Sequence, residues 1–255
     1  QNSLYKNLAK TFFIGKNLVY LPSCHSTNDV ASGIVKNDPF FDGTVVVTNN
    51  QTAGRGQQGN TWESNASMNL TFSMILKMKH LLLKDHFMLN VISSLAIVDF
   101  IKKKSVANVK VKWPNDIYVD DHKIAGVLIS NSIRSNLIDS SIIGIGFNVN
   151  QVEFETKMAT SLKLQTGGHY LLGESLEQLI LYFEKRYFEL IQRGKDELLE
   201  DYQRQLYWKD QIHTYRAAGQ YLTGIIKGIN EEGKLFIESE NENYYFNFKE
   251  VEFVK

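Results

Sequence analysis

The chain alternates between short runs of β-type patterning and two long helical stripes. Thr44-Val45-Val46-Val47-Thr48 is an unbroken β-branched run, readable as a buried strand. A polar, Gly-rich loop from Asn49 to Asn60 follows it, and Asn69 to Leu76 then alternates in part and reads as the next strand. Asp85 to Lys104 carries Phe87, Val91, Leu95, Val98 and Ile101 near helical spacing, which predicts a helix packed on a sheet. Val109, Val111 and Trp113 alternate with Lys110 and Lys112, the period of a half-buried strand. Ile117 to Val119, the turn Asp120-Asp121-His122, and Ile124 to Ile129 form a hairpin pattern. Ser141 to Val149 reads as a further strand, and its Gly144 and Gly146 imply close approach of a neighbour or ligand. A strong helix is expected from Ser175 to Arg193, opened by Ser175 and Gln178 at the spacing of a capping box, and a second from Asp196 to Gln205. After Trp208 the texture changes to short strands punctuated by Gly219, Gly224, Gly228 and Gly233.

Strands and helices mix without regular βαβ alternation, so the expected fold is α+β with a largely antiparallel sheet over residues 1–208 and a small all-β unit over 209–255. The 255 residues are 43% hydrophobic and 22% charged, enough for a sizeable core, which excludes global disorder. Lys+Arg and Asp+Glu are 28 each, and the last 47 residues hold six basic against eight acidic side chains. This balance argues against DNA or RNA as the partner. No apolar run approaches the roughly 18 residues of a membrane span, and the first residues lack a signal-peptide pattern. A single cysteine, Cys24, forms no internal disulfide and suits a cytoplasmic address. The six histidines show no metal-ligand spacing.

Three segments carry candidate chemistry. The loop Gln51-Thr52-Ala53-Gly54-Arg55-Gly56-Gln57-Gln58-Gly59-Asn60-Thr61-Trp62 combines glycines, which bring backbone N–H groups close to an anion, with the bidentate cation of Arg55. No Gly-Lys-Ser/Thr closes it, so it is not a Walker loop, and alone it equally suits a surface loop. In Lys112-Trp113-Pro114-Asn115-Asp116, the proline ends the ladder and delivers Asn115 and Asp116 at a strand end. Asn115 offers a donor and an acceptor, while Asp116 suits a magnesium ion or the orientation of Lys112. A turn with an Asn-Asp cap fits the same residues. Lys123, before Ile124-Ala125-Gly126, is placed to neutralise a phosphate or carboxylate, or is a solvated hairpin lysine.

Taken in order, Ser26-Thr27-Asn28, Gln51 to Gly59, Lys112 to Asp116, Lys123 to Gly126, Gly144-Ile145-Gly146-Phe147-Asn148-Val149-Asn150, and Ala159-Thr160-Ser161-Leu162 with Thr166-Gly167 resemble the biotin–protein ligases. The resemblance runs from Ser23 to the C-terminus. It implies a catalytic domain like that of class II aminoacyl-tRNA synthetases, followed by a small SH3-like β-barrel. It also implies two chemical steps. A biotin carboxylate attacks the α-phosphate of Mg-ATP to give biotinyl-5′-AMP and pyrophosphate, and a lysine of a biotin carboxyl carrier domain then attacks the mixed anhydride.

By position, the resemblance puts Ser26, Thr27, Asn28, Gln51, Gly54, Arg55, Gly56, Gln57 and Lys123 on biotin. Arg55, Trp62, Lys112, Asn115 and Asn148 fall on ATP, and Lys123, Arg55 and Asp116 on catalysis, with Asp116 holding Mg2+. ATP and Mg2+ are then the requirements, with no tightly bound cofactor. Ser26-Thr27-Asn28 also reads as a helix N-cap. Many relatives carry arginines where this chain has Gln57, Gln58 and Asn60, so its hold on pyrophosphate and adenylate is expected to be weaker. About 20 residues precede the first motif, too few for a DNA-binding module, and a monofunctional ligase is expected. Homodimerisation is left open. A lipoate– or octanoate–protein ligase of the same fold is the rival enzyme, and a non-catalytic biotin-binding module the rival of another class.

Overall fold

The computed structural model describes residues 8–37, 39–78, 81–240 and 242–254. Among them, seven strands pair into one sheet: β1 (Leu18–Leu21), β2 (Thr44–Thr48), β3 (Leu70–Lys77), β4 (Val109–Lys112), β5 (Asp116–Val119), β6 (His122–Arg134) and β7 (Leu137–Phe147). The spatial order is β1-β2-β3-β7-β6-β5-β4, and only β1 with β2 is parallel. The largely antiparallel sheet expected from the sequence is therefore present.

Helices cover both faces, which explains the unbroken apolar run of β2. On one face, α1 (Thr27–Lys36) packs Ala31 against Val46, Ile75 and Ile142. On the other, Val45, Val47, Phe72 and Met74 join a larger core with α2 (Met88–Lys103) and α4 (Leu172–Arg193). Between them in the chain lies the short α3 (Leu162–Thr166), capped by Ser161 Oγ on Leu164 N (3.2 Å) and ended by Gly167 in the left-handed region, as that sequence favours. The last helix is α5 (Asp196–Arg204). Arg186 of α4 ties α2 to α5, reaching Asp99 at 2.8 Å and Asp201 at 2.9 Å.

Two sequence expectations change. The capping box at Ser175 is not formed: the helix starts at Leu172, so Ser175 is a buried interior residue and Gln178 accepts from Lys104 Nζ at 2.8 Å. Leu172 belongs to the apolar stripe of Leu176 and Leu179, and burying it draws the helix back by one turn. The β6–β7 hairpin is also longer than its apolar pattern, because Ser130 to Arg134 pairs with 137–142 through the backbone while Ser130, Ser132, Ile133 and Arg134 stay exposed.

The C-terminal residues form a second sheet: β8 (Ile212–Ala217), β9 (Gln220–Ile229), β10 (Leu235–Glu238), β11 (Asn243–Phe246) and β12 (Val251–Phe253), ordered β11-β10-β9-β8-β12 and antiparallel throughout. It docks on the end of β4. Trp113 Nε1 donates to Gly233 O at 2.9 Å, and a side chain at Gly233 would overlap the Phe87 ring.

The N-terminal segment is fastened mainly by one buried carboxylate, with Glu177 also accepting from Lys10 N at 3.1 Å. Glu184 of α4, buried, accepts the backbone N–H of Phe12 (2.7 Å), Phe13 (2.8 Å) and Ile14 (2.8 Å). Glu184→Ala leaves these donors without their acceptor and is expected to cost about 3 kcal/mol in urea unfolding, since bonds to a charged acceptor exceed neutral ones. An unchanged midpoint and slope would contradict this.

Candidate active site

A cleft of about 550 Å³ opens where the start of α1, the Gly-rich loop, the β4–β5 corner and strands β6 and β7 meet residues 248–253 of the small sheet. Its floor is made by glycines. A Cβ on Gly144 would overlap the Asn28 amide, and one on Gly146 would overlap the Trp62 indole. The close approach implied by these glycines is to two site side chains. Gly144 pairs with Leu128 and Gly146 with Gly126, so Asn28 and Trp62 stand in sequence over the same two strands.

The inner end is a hydrogen-bonded group. Ser26 is the N-cap residue of α1 by position, but its hydroxyl makes no capping bond. Gln51 caps instead, its Oε1 accepting from Thr27 N at 2.9 Å. Ser73 Oγ, fully buried on β3, lies 2.8 Å from Thr27 Oγ1 and 2.6 Å from Asn28 Oδ1. Asn28 Nδ2 reaches Leu128 O at 3.4 Å.

The loop folds back on itself. Arg55 and Thr61 form a bridge, Trp62 N donates to Gly54 O (2.9 Å), and Gln57–Gly59 is one 3₁₀ turn. The sequence suggested that the Gly56 N–H would help seat an anion, but in the structure it donates to Asn60 O at 2.7 Å, inside the loop. Gly54 is required because a Cβ there would come within 2.6 Å of Trp62 O. Arg55, mostly exposed, pairs with Asp29 of α1 at 2.9 Å. Gln57 and Trp62 line the cleft.

Lys123 occupies the other end. Its ammonium sits 2.7 Å from Asp116 Oδ1 and 5.7 Å from the Trp62 ring centroid. A Cβ at Gly126 would lie 3.2 Å from both charged groups, so the glycine gives the pair its room. Asp116, expected to orient Lys112 or hold a metal, therefore pairs with Lys123. Lys112 Nζ lies over the rings of Tyr118 (5.3 Å) and Phe253 (5.0 Å). Burial first, then the nearby Asp116 carboxylate, raises the Tyr118 phenol well above its ordinary value, so it stays neutral. Asn115 Nδ2 donates to Val127 O.

Of the residues singled out by sequence, the structure gathers Ser26, Thr27, Asn28, Gln51, Arg55, Gly56, Gln57, Trp62, Lys112, Asn115, Asp116 and Lys123 around this one cleft. Gly54 and Asn148 are not among its walls. Asn148 braces the segment beside Lys123, donating to Thr160 O at 3.0 Å, and its buried Oδ1 has no partner among the described residues. Sequence reading missed Ser73 and Asp29, which carry no motif, and Phe248, Lys249 and Glu252, which arrive from the other sheet. Burial raises the Cys24 thiol above its ordinary value, the opposite of the shift that activates a cysteine.

Among the described residues no group of three His, Cys, Asp or Glu side chains could cage a metal. One carboxylate beside an ammonium fits a magnesium ion carried mainly by phosphate oxygens, the usual mode for that ion.

The sequence model of the biotin/lipoate A/B protein ligase family matches residues 20–148. The "Bifunctional ligase/repressor BirA" of Bacillus spizizenii is 30% identical over 242 residues, 91% of this chain and 72% of that protein. The "Biotin–[acetyl-CoA-carboxylase] ligase" of Mycobacterium tuberculosis is 25% identical over 203 residues, 78% of this chain and 74% of its own length. Among solved structures, the biotin protein ligase from Aquifex aeolicus in complex with biotin and ATP superposes with a TM-score of 0.77 at 25% identity, covering 93% of this chain and 98% of that one.

Proposed function

Since the chain belongs to the biotin/lipoate A/B protein ligase family, we propose that it joins biotin to a lysine of a biotin carboxyl carrier domain through biotinyl-5′-AMP. The observation that carries this is the linear order of the cleft: a hydrogen-bonding end at Asn28 over Gly144, an indole over Gly146, and an ammonium beside Gly126. Gly144 and Gly146 lie two residues apart, about 7 Å along the strand, so the hydrogen-bonding end at Asn28 and the ammonium of Lys123 stand at separate places along the cleft, one suited to a polar head group and one to an acid tail. The biotin and ATP of the Aquifex structure and the substrate named for the mycobacterial relative support the same assignment.

In this reading Thr27, Asn28, Gln51 and Ser26 bind the ureido head, and Trp62, which the resemblance put on ATP, instead covers the biotin ring from its place over Gly146 beside Lys123. Lys123 holds the carboxylate against the α-phosphate, offsetting the repulsion of two anions and the charge that develops as the carboxylate oxygen attacks phosphorus and pyrophosphate leaves. Asp116 keeps Lys123 aimed, and is the carboxylate that would hold magnesium, whose charge would further neutralise the phosphates. Arg55 and Lys112 face the nucleotide phosphates and Asn115 the base side. Asn148 acts through the Thr160 segment. The loop over the cleft keeps water from the anhydride until a carrier lysine attacks its carbonyl carbon and AMP departs. Residues 1–208 carry the chemistry, and 209–255 close one wall of the cleft. A second family member's chemistry, lipoate transfer, leaves the donor-rich inner end without a partner.

The test is transfer itself: the protein, ATP, magnesium and an apo carrier domain, read by intact mass. Biotin on the carrier lysine, and none on a carrier with that lysine changed to arginine, is expected. Lipoate attached in its place would reassign the enzyme.

Gln57 lines the cleft without charge. Gln57→Arg is expected to slow biotinyl-AMP dissociation about ten-fold, the effect of one charge-assisted hydrogen bond to phosphate. Equal dissociation rates for the two proteins would contradict that.

A further inference from the structure

We infer that Ser73, a buried residue outside every motif of the chain, is a positioning residue that fixes the amide of Asn28 so that the inner end of the cleft presents hydrogen-bond donors to a carbonyl oxygen. The inference rests on the biotin reading above and concerns how that head group is told from its analogues.

The argument is one of proton direction. Thr27 N–H can only donate, so the Gln51 atom 2.9 Å away is its oxygen, and the Gln51 NH2 makes no hydrogen bond among the described residues. Two self-consistent arrangements remain for the three side chains around Ser73. In the first, Thr27 O–H donates to Ser73 Oγ (2.8 Å) and Ser73 O–H donates to Asn28 Oδ1 (2.6 Å), which leaves Asn28 Nδ2 toward Leu128 O at 3.4 Å. In the second, Thr27 donates to Gln51 Oε1 at 3.3 Å, Ser73 donates to Thr27, and Asn28 is turned over to donate to Ser73. That rotation would set the Asn28 oxygen against the Leu128 carbonyl, two acceptors with no proton between them. The Leu128 carbonyl, fixed in the β6–β7 ladder opposite Gly144, therefore selects the first arrangement.

The consequences reach the ligand. Asn28 and Gln51 each keep amide hydrogens for an acceptor, while Thr27, its own proton committed to Ser73, offers a lone pair. Two amide donors facing one acceptor suit the oxygen of a cyclic urea, and the Thr27 lone pair suits one of its ring N–H groups. A ligand with a donor in place of that oxygen leaves both amides unpaired, which is how sites of this kind reject analogues. Ser73 touches none of this directly. Its hydroxyl is the single bridge that makes the Thr27 and Asn28 orientations depend on each other.

The experiment measures equilibrium binding of biotin and of 2-iminobiotin at pH 7, where the latter carries a protonated guanidine in place of the urea, to the wild-type protein, Ser73→Ala and Asn28→Asp. The wild-type protein is expected to prefer biotin strongly. Ser73→Ala frees the Asn28 amide to rotate and should weaken biotin about ten-fold, with 2-iminobiotin weakened less, so that the preference narrows. Asn28→Asp substitutes an acceptor for the donor at equal size, and its preference should reverse toward the cation. Equal weakening of both ligands in Ser73→Ala would mean that the serine only supports packing, and would overturn the inference. So would an unchanged preference in Asn28→Asp. A wild-type protein that binds no biotin overturns the biotin reading itself and this inference with it, an outcome distinct from the other two.

Discussion

Lys123→Ala is expected to lower biotin-dependent adenylation by two to three orders of magnitude, the loss typical of removing one donor from a developing anion. Biotin binding should fall far less, because the proposed seat of the head group is the Asn28 end of the cleft, over Gly144 and two residues along the ladder from the Gly126 beside Lys123. The ammonium is fixed by Asp116 at 2.7 Å and lies over the Trp62 ring, with Gly126 leaving space for the pair. Asp116→Asn removes the charge that aims the lysine but leaves the ammonium present, so its defect should be smaller and lie mainly in kcat. Single-turnover formation of adenylate, measured beside equilibrium binding of biotin, separates the two effects. A Lys123→Ala protein that forms adenylate at the wild-type rate would remove Lys123 from the chemistry.

Gly144→Ala should produce a folded protein that has lost its acid. The added methyl would occupy the place of the Asn28 side-chain amide, the tip of a side chain rather than backbone, so the sheet can keep its register while Asn28 swings away. With Asn28 go its hydrogen bond to Ser73 and its donor to the ligand. Affinity for biotin should drop about 100-fold, two hydrogen bonds' worth with one left unsatisfied, at a melting temperature within a few degrees of wild type. Gly146→Ala acts on the Trp62 ring in the same way, and there the loss should extend to retention of the adenylate. Wild-type biotin affinity in Gly144→Ala would show that Asn28 takes no part in binding. A collapse in stability without any change in affinity would show that the glycine serves the sheet alone.

The two glycines also show how far the sequence could be read. Their placement in an otherwise apolar strand, Ser141 to Val149, signalled a close approach, and Val45-Val46-Val47 signalled a strand covered on both faces. Both signals are local consequences of burial and backbone space. The ordered motifs brought twelve of the proposed site residues to one cleft, because the motifs that carry them lie at a helix start, at strand ends or in the loop after β2, where side chains must leave the core.

What stayed hidden depends on pairing across the chain. Ser73 looks like any small residue in a strand until β3 is laid beside β7 and α1 over both. The partner of Asp116 depends on a hairpin register that shifts between Ile117 and Tyr118, so the carboxylate pairs with Lys123 and not with Lys112, the lysine the sequence suggested. The extra turn of α4 follows from room for Leu172 in the core, a tertiary fact that overrides the Ser175–Gln178 signal. Phe248 and Glu252 enter the cleft only because Trp113 and Gly233 dock the second sheet on the first.

The central claim is that this cleft activates biotin with ATP. ATP–pyrophosphate exchange on the purified protein with magnesium, compared for added biotin, added lipoate and no acid, tests it most directly. Exchange that requires biotin and disappears in Lys123→Ala is the predicted result. Exchange with lipoate alone, or none with either acid while biotin still binds, would contradict it.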